Sequence, residues 1–141
     1  VTGWWKDTGQ LSDMLEANRL VLDDIETSLD GTIENSRVEG RVIVEEGAVL
    51  RDSLVRGPAV IGRGALVEGA YIGPYTSIGD DVRVINSEIE HSILLAGSSV
   101  ENQAARIEAS LLGREVRVTR SDSLPKTMQL LVGDRAEIEI V

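Results

Sequence analysis

One beat in the sequence limits what this chain can fold into. Ile33, Val38, Val44, Leu50, Val55, Ile61, Val67, Ile72, Ile78, Val84 and Ile89 follow one another at gaps of 5, 6, 6, 5, 6, 6, 5, 6, 6 and 5. Every third member therefore recurs after 17 residues, and all eleven positions are Val, Ile or Leu. An amphipathic helix needs a period near 3.6, which these gaps do not supply. Two residues before each aliphatic stand Gly31, Ser36, Val42, Ala48, Ser53, Ala59, Ala65, Ala70, Thr76, Val82 and Ser87, none larger than Val. Side chains two apart on an extended chain share a face, so each segment offers the interior one aliphatic and one small residue. Three short strands per circuit give a coil of triangular section, filled by the aliphatic and narrowed at the small residue.

Composition agrees with a slim interior. Val, Ile and Leu make up 43 of the 141 residues, while Phe is absent and Trp plus Tyr number four. A broad globular core of this size would use more aromatics. After Ile89 the beat continues with slips through Leu94, Val100, Ile107, Leu112 and Val118. Ser121 to Thr127, with Pro125, interrupts it, because Pro cannot donate to a ladder. Val132-Gly133 to Ile138 reads as a last repeat. At three beats per turn the expectation is about six coils, a column about 29 Å tall at the usual strand spacing. The apolar spacing of Leu11, Met14, Leu15, Val21 and Leu22 predicts a short helix, with Ser12 as its N-cap. Its expected role is to cover an open end of the coils.

Several functions are excluded at this level. A net charge of −10 argues against nucleic-acid or anionic-membrane surfaces. The absence of cysteine removes disulfides, thiolate metal sites and cysteine nucleophiles. A single histidine, His91, excludes a site needing two imidazoles from one chain. No apolar run has membrane-spanning length and no signal-peptide pattern is present, so the expected location is cytoplasmic. The carboxylate pairs Glu45-Glu46 and Asp80-Asp81 read as solvated corners. Gly57-Pro58 and Gly73-Pro74 read as turns, with no helix N-terminus behind them to bind phosphate.

The repeat resembles the hexapeptide-repeat parallel β-helix, and Ile61-Gly62, Ile72-Gly73 and Ile78-Gly79 match its form fully. That likeness implies a mainly β, single-stranded left-handed β-helix. A second resemblance is carried by Gly3-Trp4-Trp5-Lys6-Asp7-Thr8-Gly9 and by Met14-Leu15-Glu16-Ala17-Asn18-Arg19-Leu20-Val21-Leu22. Ser110-Leu111-Leu112-Gly113-Arg114 and Leu130 to Asp134 add to it. These stretches are similar to the C-terminal part of the long-form glucose-1-phosphate thymidylyltransferases, in the sugar-phosphate nucleotidyltransferase family. The resemblance implies that residues 1–30 are the end of a catalytic domain with one helix and that residues 31–141 are the β-helix domain. It also implies that Asp7 helps hold a catalytic magnesium, as the aspartate of a Trp-x-Asp-Thr-Gly motif. A hard carboxylate suits Mg²⁺, but one carboxylate alone cannot organise a site.

The nucleotide loop and the second metal aspartate of that family lie in a domain this sequence does not contain. Nucleoside triphosphate and sugar phosphate are therefore expected as ligands only together with that domain, and the chain alone is expected to lack activity and to need no cofactor. Two tryptophans side by side imply an apolar partner surface, under the helix and first coil or in another domain. A rival function is a hexapeptide-repeat acyltransferase using coenzyme A, with His91 as base. His91 stands two residues past Ile89, off the inward beat, and no insertion breaks the coils from Ile33 to Ile89. A third reading is assembly: Leu54, Leu66, Tyr71 and Tyr75 fall at outward positions and are candidates for a homo-oligomer contact.

Overall fold

The structure is a computed structural model that describes the backbone of residues 2–121, 124 and 126–140, with side chains from Gln10 onward among these. It is a parallel β-helix with one helix, α1 (Thr2–Asp23), packed on its side. The strands are two or three residues long and form three walls. Wall A stacks Ser28–Leu29, Val42–Val44, Ala59–Ile61, Thr76–Ile78, Ile93–Leu94 and Leu111–Leu112. Wall B stacks Thr32–Glu34, Val49–Arg51, Leu66–Glu68, Arg83–Ile85, Ser99–Glu101 and Arg117–Val118. Wall C stacks Arg37–Glu39, Leu54–Arg56, Tyr71–Ile72, Glu88–Glu90 and Ile107–Glu108. All pairings are parallel and in register with the repeat: Leu50 lies on Val67, Val67 on Val84, and Val84 on Val100.

The beat is the core. Val44, Leu50, Val55, Ile61, Val67, Ile72, Ile78, Val84, Ile89, Leu94 and Val100 are all buried, as are the small residues two before them from Val42 onward. Each buried Val, Leu or Ile contributes about 1.5–3 kcal/mol relative to an exposed one. Ile33, Val38, Ile107, Leu112 and Val118, in the end coils, are only partly covered because one side has no further coil. The glycine that follows the aliphatic at Ile61-Gly62 and Ile78-Gly79 has a steric reason. A Cβ on Gly62 would lie 2.7 Å from the carbonyl carbon of Gly79 in the next coil.

The structure corrects three expectations. The helix begins at Thr2, so Ser12 lies inside it and is not its cap. The two glycines and two threonines of residues 2–9 are weak helix formers, which hid those first turns. Nor does α1 cover an open end of the coils; it lies along a face. Finally, Val132 to Ile138 forms no strand, and both residues are more than half exposed. Among the described residues the column has five complete coils, and walls A and B alone start a sixth. The first strand, Ser28–Leu29, already falls within residues 1–30.

Candidate functional site

Three places on the column gather polar side chains, and α1 defines the first. The outward column of wall A is Ser28, Ile43, Val60, Ser77, Ile93 and Leu111, apolar except at the two serines. The helix meets it with Leu15 and Leu22, which are 6% and 1% exposed. Between them Asn18 accepts a hydrogen bond from Ser77 Oγ at 2.6 Å and donates to the Tyr75 carbonyl at 3.3 Å. At the C-terminal end of the helix Tyr75 donates its hydroxyl to Asp23 Oδ1 at 2.9 Å, and Arg41 donates to the Asp23 carbonyl. Arg41 borders the second coil and Ser77 lies in the fourth, so the helix climbs toward the last coil with its N-terminus leading. Its 22 residues span about 33 Å, against about 24 Å for six stacked strands. The N-terminal turns therefore run on toward the last coil, away from the first coil, which with another domain is one of the two places expected for the tryptophan pair. The side chains of Trp4, Trp5 and Asp7 lie outside the described residues.

His91 lines a recess of about 270 Å³ together with Arg19, Pro74, Tyr75, Glu90 and Glu108. It sits at the corner from wall C to wall A with φ +48°, its backbone N–H donating to the Pro74 carbonyl at 3.1 Å. Arg19 bridges Glu16 at 2.7 Å and Asp23 at 3.2 Å. Its guanidinium holds the Glu16 carboxyl below the usual value, and His91 adds to this weakly. The imidazole thus lies among groups that fasten the helix.

The same junction gives a pH dependence. The hydrogen bond to Asp23 favours the neutral Tyr75 phenol and raises its ionisation above the ordinary 10.0. Tyr71 is raised too, first by burial and then by its bond to Glu90. In the unfolded chain both phenols ionise near 10, so the folded state keeps protons that the unfolded state releases above that pH. The stabilisation is complete below pH 10 and is lost as pH rises through the raised values. Proteolysis within α1 is expected to accelerate in that alkaline window, and Tyr75→Phe is expected to flatten the response. A Tyr75→Phe chain with the parent's alkaline profile would contradict this.

The second cluster surrounds Tyr71 on wall C. Its ring lies between Arg56 and Arg106, whose guanidinium carbons are 5.8 and 5.1 Å from the ring centroid, within cation–π range. The hydroxyl donates to Glu90 at 3.0 Å, in space that Gly73 leaves by lacking a Cβ. The third place is an open groove of about 760 Å³ along the corner between walls B and C. Asn35, Asp52, Asn86 and Asn102 occupy that corner with φ from +47° to +56°, a region Asn and Asp tolerate. Their side chains bond to one another up the column, Asn35 to Asp52 at 2.6 Å and Asn86 to Asn102 at 3.1 Å. Inward serines tie the next coil's backbone, as Ala70 N–H to Ser53 Oγ and Gln103 N–H to Ser87 Oγ show. The aliphatic beat does not show this ladder, although the Asx-Ser pairs at 35, 52 and 86 mark it. Of the outward candidates, Tyr75 is occupied by α1 and Tyr71 by its two arginines. Leu54 and Leu66 lie on different walls and make no shared apolar face.

The geometry is that of a stiff column whose polar groups face one another, and similarity to known proteins adds what it does not show. Over 141 residues the chain is 48% identical to the glucose-1-phosphate thymidylyltransferase of Streptomyces antibioticus, covering 99% of this chain and 39% of that protein. The protein of the same name from Streptomyces griseus is 49% identical over the same coverage. The chain matches the C-terminal region of glucose-1-phosphate thymidylyltransferases. A low-salt glycan biosynthesis nucleotidyltransferase of Haloferax volcanii is 40% identical over 144 residues, 99% of this chain and 40% of the relative. No family model matches. The chain thus spans about two fifths of the length of these thymidylyltransferase and nucleotidyltransferase relatives. Among the described residues no group of three or more His, Cys, Asp or Glu side chains is placed to hold a metal. No described helix is long and apolar enough to cross a membrane.

Proposed function

We propose that this chain is the β-helix portion of a sugar-phosphate nucleotidyltransferase that makes a nucleotide sugar from glucose 1-phosphate and a thymidine triphosphate, releasing pyrophosphate. The similarity along nearly the whole chain to proteins named for that activity supports this reading most strongly. Within such an enzyme the column acts as scaffold and oligomerisation element in the cytoplasm. The nucleotide, the sugar phosphate and the magnesium beside Asp7 belong to a reaction that requires the rest of the relatives' length. The helix is the covalent route between the two parts, and its fastening by Leu15, Asn18, Leu22 and Asp23 fits a rigid join.

The reading is tested by incubating the 141-residue chain with glucose 1-phosphate, thymidine triphosphate and Mg²⁺ and measuring pyrophosphate. No release above the buffer rate is expected from the chain alone. A protein joining it to the catalytic part of a relative is expected to turn over. Turnover by the isolated chain would overturn the division of labour.

A further inference from the structure

Each passage from wall A to wall B has one pattern: an aliphatic, a corner, a small inward residue, an outward residue and a second aliphatic. It reads Ile61-Gly62-Arg63-Gly64-Ala65-Leu66-Val67, then Ile78-Gly79-Asp80-Asp81-Val82-Arg83-Val84, and in the last coil Leu112-Gly113-Arg114-Glu115-Val116-Arg117-Val118. Val132-Gly133-Asp134-Arg135-Ala136-Glu137-Ile138 repeats it again. The backbone agrees. The fourth residue of each stretch is left-handed, with φ +68° at Gly64, +57° at Asp81, +60° at Glu115 and +62° at Arg135. Residues 132–138 therefore already have the shape of a corner between walls A and B. Yet they belong to none of the three stacks, and Val132 and Ile138 are 56% and 51% exposed.

A seat for that corner exists. The outer edges of Leu111–Leu112 and Arg117–Val118 have no strand beyond them, and such edges readily accept another chain. Laid on them in register, the corner would place Asp134 over Arg114, Arg135 over Glu115 and Glu137 over Arg117, opposite in sign at all three positions. The column already uses this device between coils: Arg51 bridges Glu34 below and Glu68 above at 2.9 and 3.1 Å.

The chain's own route to this seat is poor. Wall B leads to wall C by a step of five, as Leu50 to Val55, Val67 to Ile72 and Val84 to Ile89 show, so continuing the coil would put Ser123 at the buried aliphatic position. A hydroxyl among aliphatics with no partner is costly. Pro125 would stand where Gly57 donates its N–H to the Glu39 carbonyl at 2.7 Å, and it has no N–H to give. A linker that cannot coil, between a finished edge and a finished corner, favours exchange between copies. We propose that the 132–138 corner of one copy seats on the Leu111–Leu112 and Arg117–Val118 edges of a second copy, and reciprocally, joining two columns end to end. This rests on the oligomeric reading above and assigns its contact.

The absence of cysteine makes a direct test practical. One preparation carries Arg117→Cys and another, distinguished by a mass tag, carries Glu137→Cys; both are exposed outward positions. Paired strands lie about 4.8 Å apart, within the Cα separation a disulfide spans. On mixing and mild oxidation, the heterologous covalent dimer is expected to form at least tenfold faster than either variant links to itself. Closure of the Arg117→Cys/Glu137→Cys double variant within one chain, leaving a monomer, would overturn the exchange. So would a dimer in light scattering that the mixed pair does not capture, although the oligomeric reading would then stand. A monomer at every concentration would remove both.

Discussion

Val67→Asp is expected to abolish cooperative folding of the column. Val67 is fully buried, stacked between Leu50 and Val84, and its surroundings are aliphatic. A carboxylate placed there has no hydrogen-bond donor and no cation, and it cannot reach water without opening the coils on either side. Such burial belongs to the mechanisms that exceed about 4 kcal/mol, against a total of about 5–15 kcal/mol for a domain. Thermal melting by circular dichroism should show either no transition or a midpoint lowered by more than about 10 °C. Ile33→Asp provides the comparison, because Ile33 occupies the same wall in the first coil and is only partly covered. There the end coil frays and the remainder holds, so a much smaller shift is expected. Equal effects at the two positions would mean that the interior is not the dry prism described above.

Leu22→Asp is expected to release the helix while leaving the coils intact. Leu22 is 1% exposed and lies on the same helix face as Leu15 and Asn18. Loss of that contact, with a charge left against an apolar wall, costs about 3 kcal/mol or more. What it uncovers is the column of Ile43, Val60, Ile93 and Leu111. The variant should bind a hydrophobic dye, and protease should cut within α1 while residues 28–118 survive. Asn18→Ala, which loses two hydrogen bonds but adds no charge, should show the same behaviour more weakly. A Leu22→Asp chain that resists protease as the parent does would show that the helix is held mainly by its polar contacts.

Most of the fold could be read before any coordinates, because a solenoid repeats its instructions. A stack of identical circuits forces the same residue class into the same place, so eleven aliphatics and eleven small residues could be counted without knowing any contact. The parts that escaped are those where the chain stops repeating. The sequence places the start of α1 at Ser12 and not at Thr2, because residues 2–9 carry no apolar period and contain poor helix formers. Val132 to Ile138 carries the beat but lacks a coil to rest on, and periodicity says nothing of whether a neighbour is present. The outward residues were the least legible. Tyr71 and Tyr75 looked alike as exposed aromatics, yet one is bracketed by Arg56 and Arg106 and the other is claimed by Asp23. Those outcomes depend on which side chains neighbouring coils bring alongside, through the register, and on where the helix lies.

Stacking in register also has a consequence for how such a chain can change length. Each coil rests only on the one below and the one above, and Ile61 and Ile78 occupy equivalent places 17 residues apart. Excising residues 62–78 would bring the second and fourth levels together with like set upon like, shortening the molecule by about 4.8 Å without altering its cross-section. Removing any number of residues that is not a whole circuit would turn aliphatics outward. Height is thus adjustable only in whole storeys, and with it the distance separating whatever is mounted at the two ends.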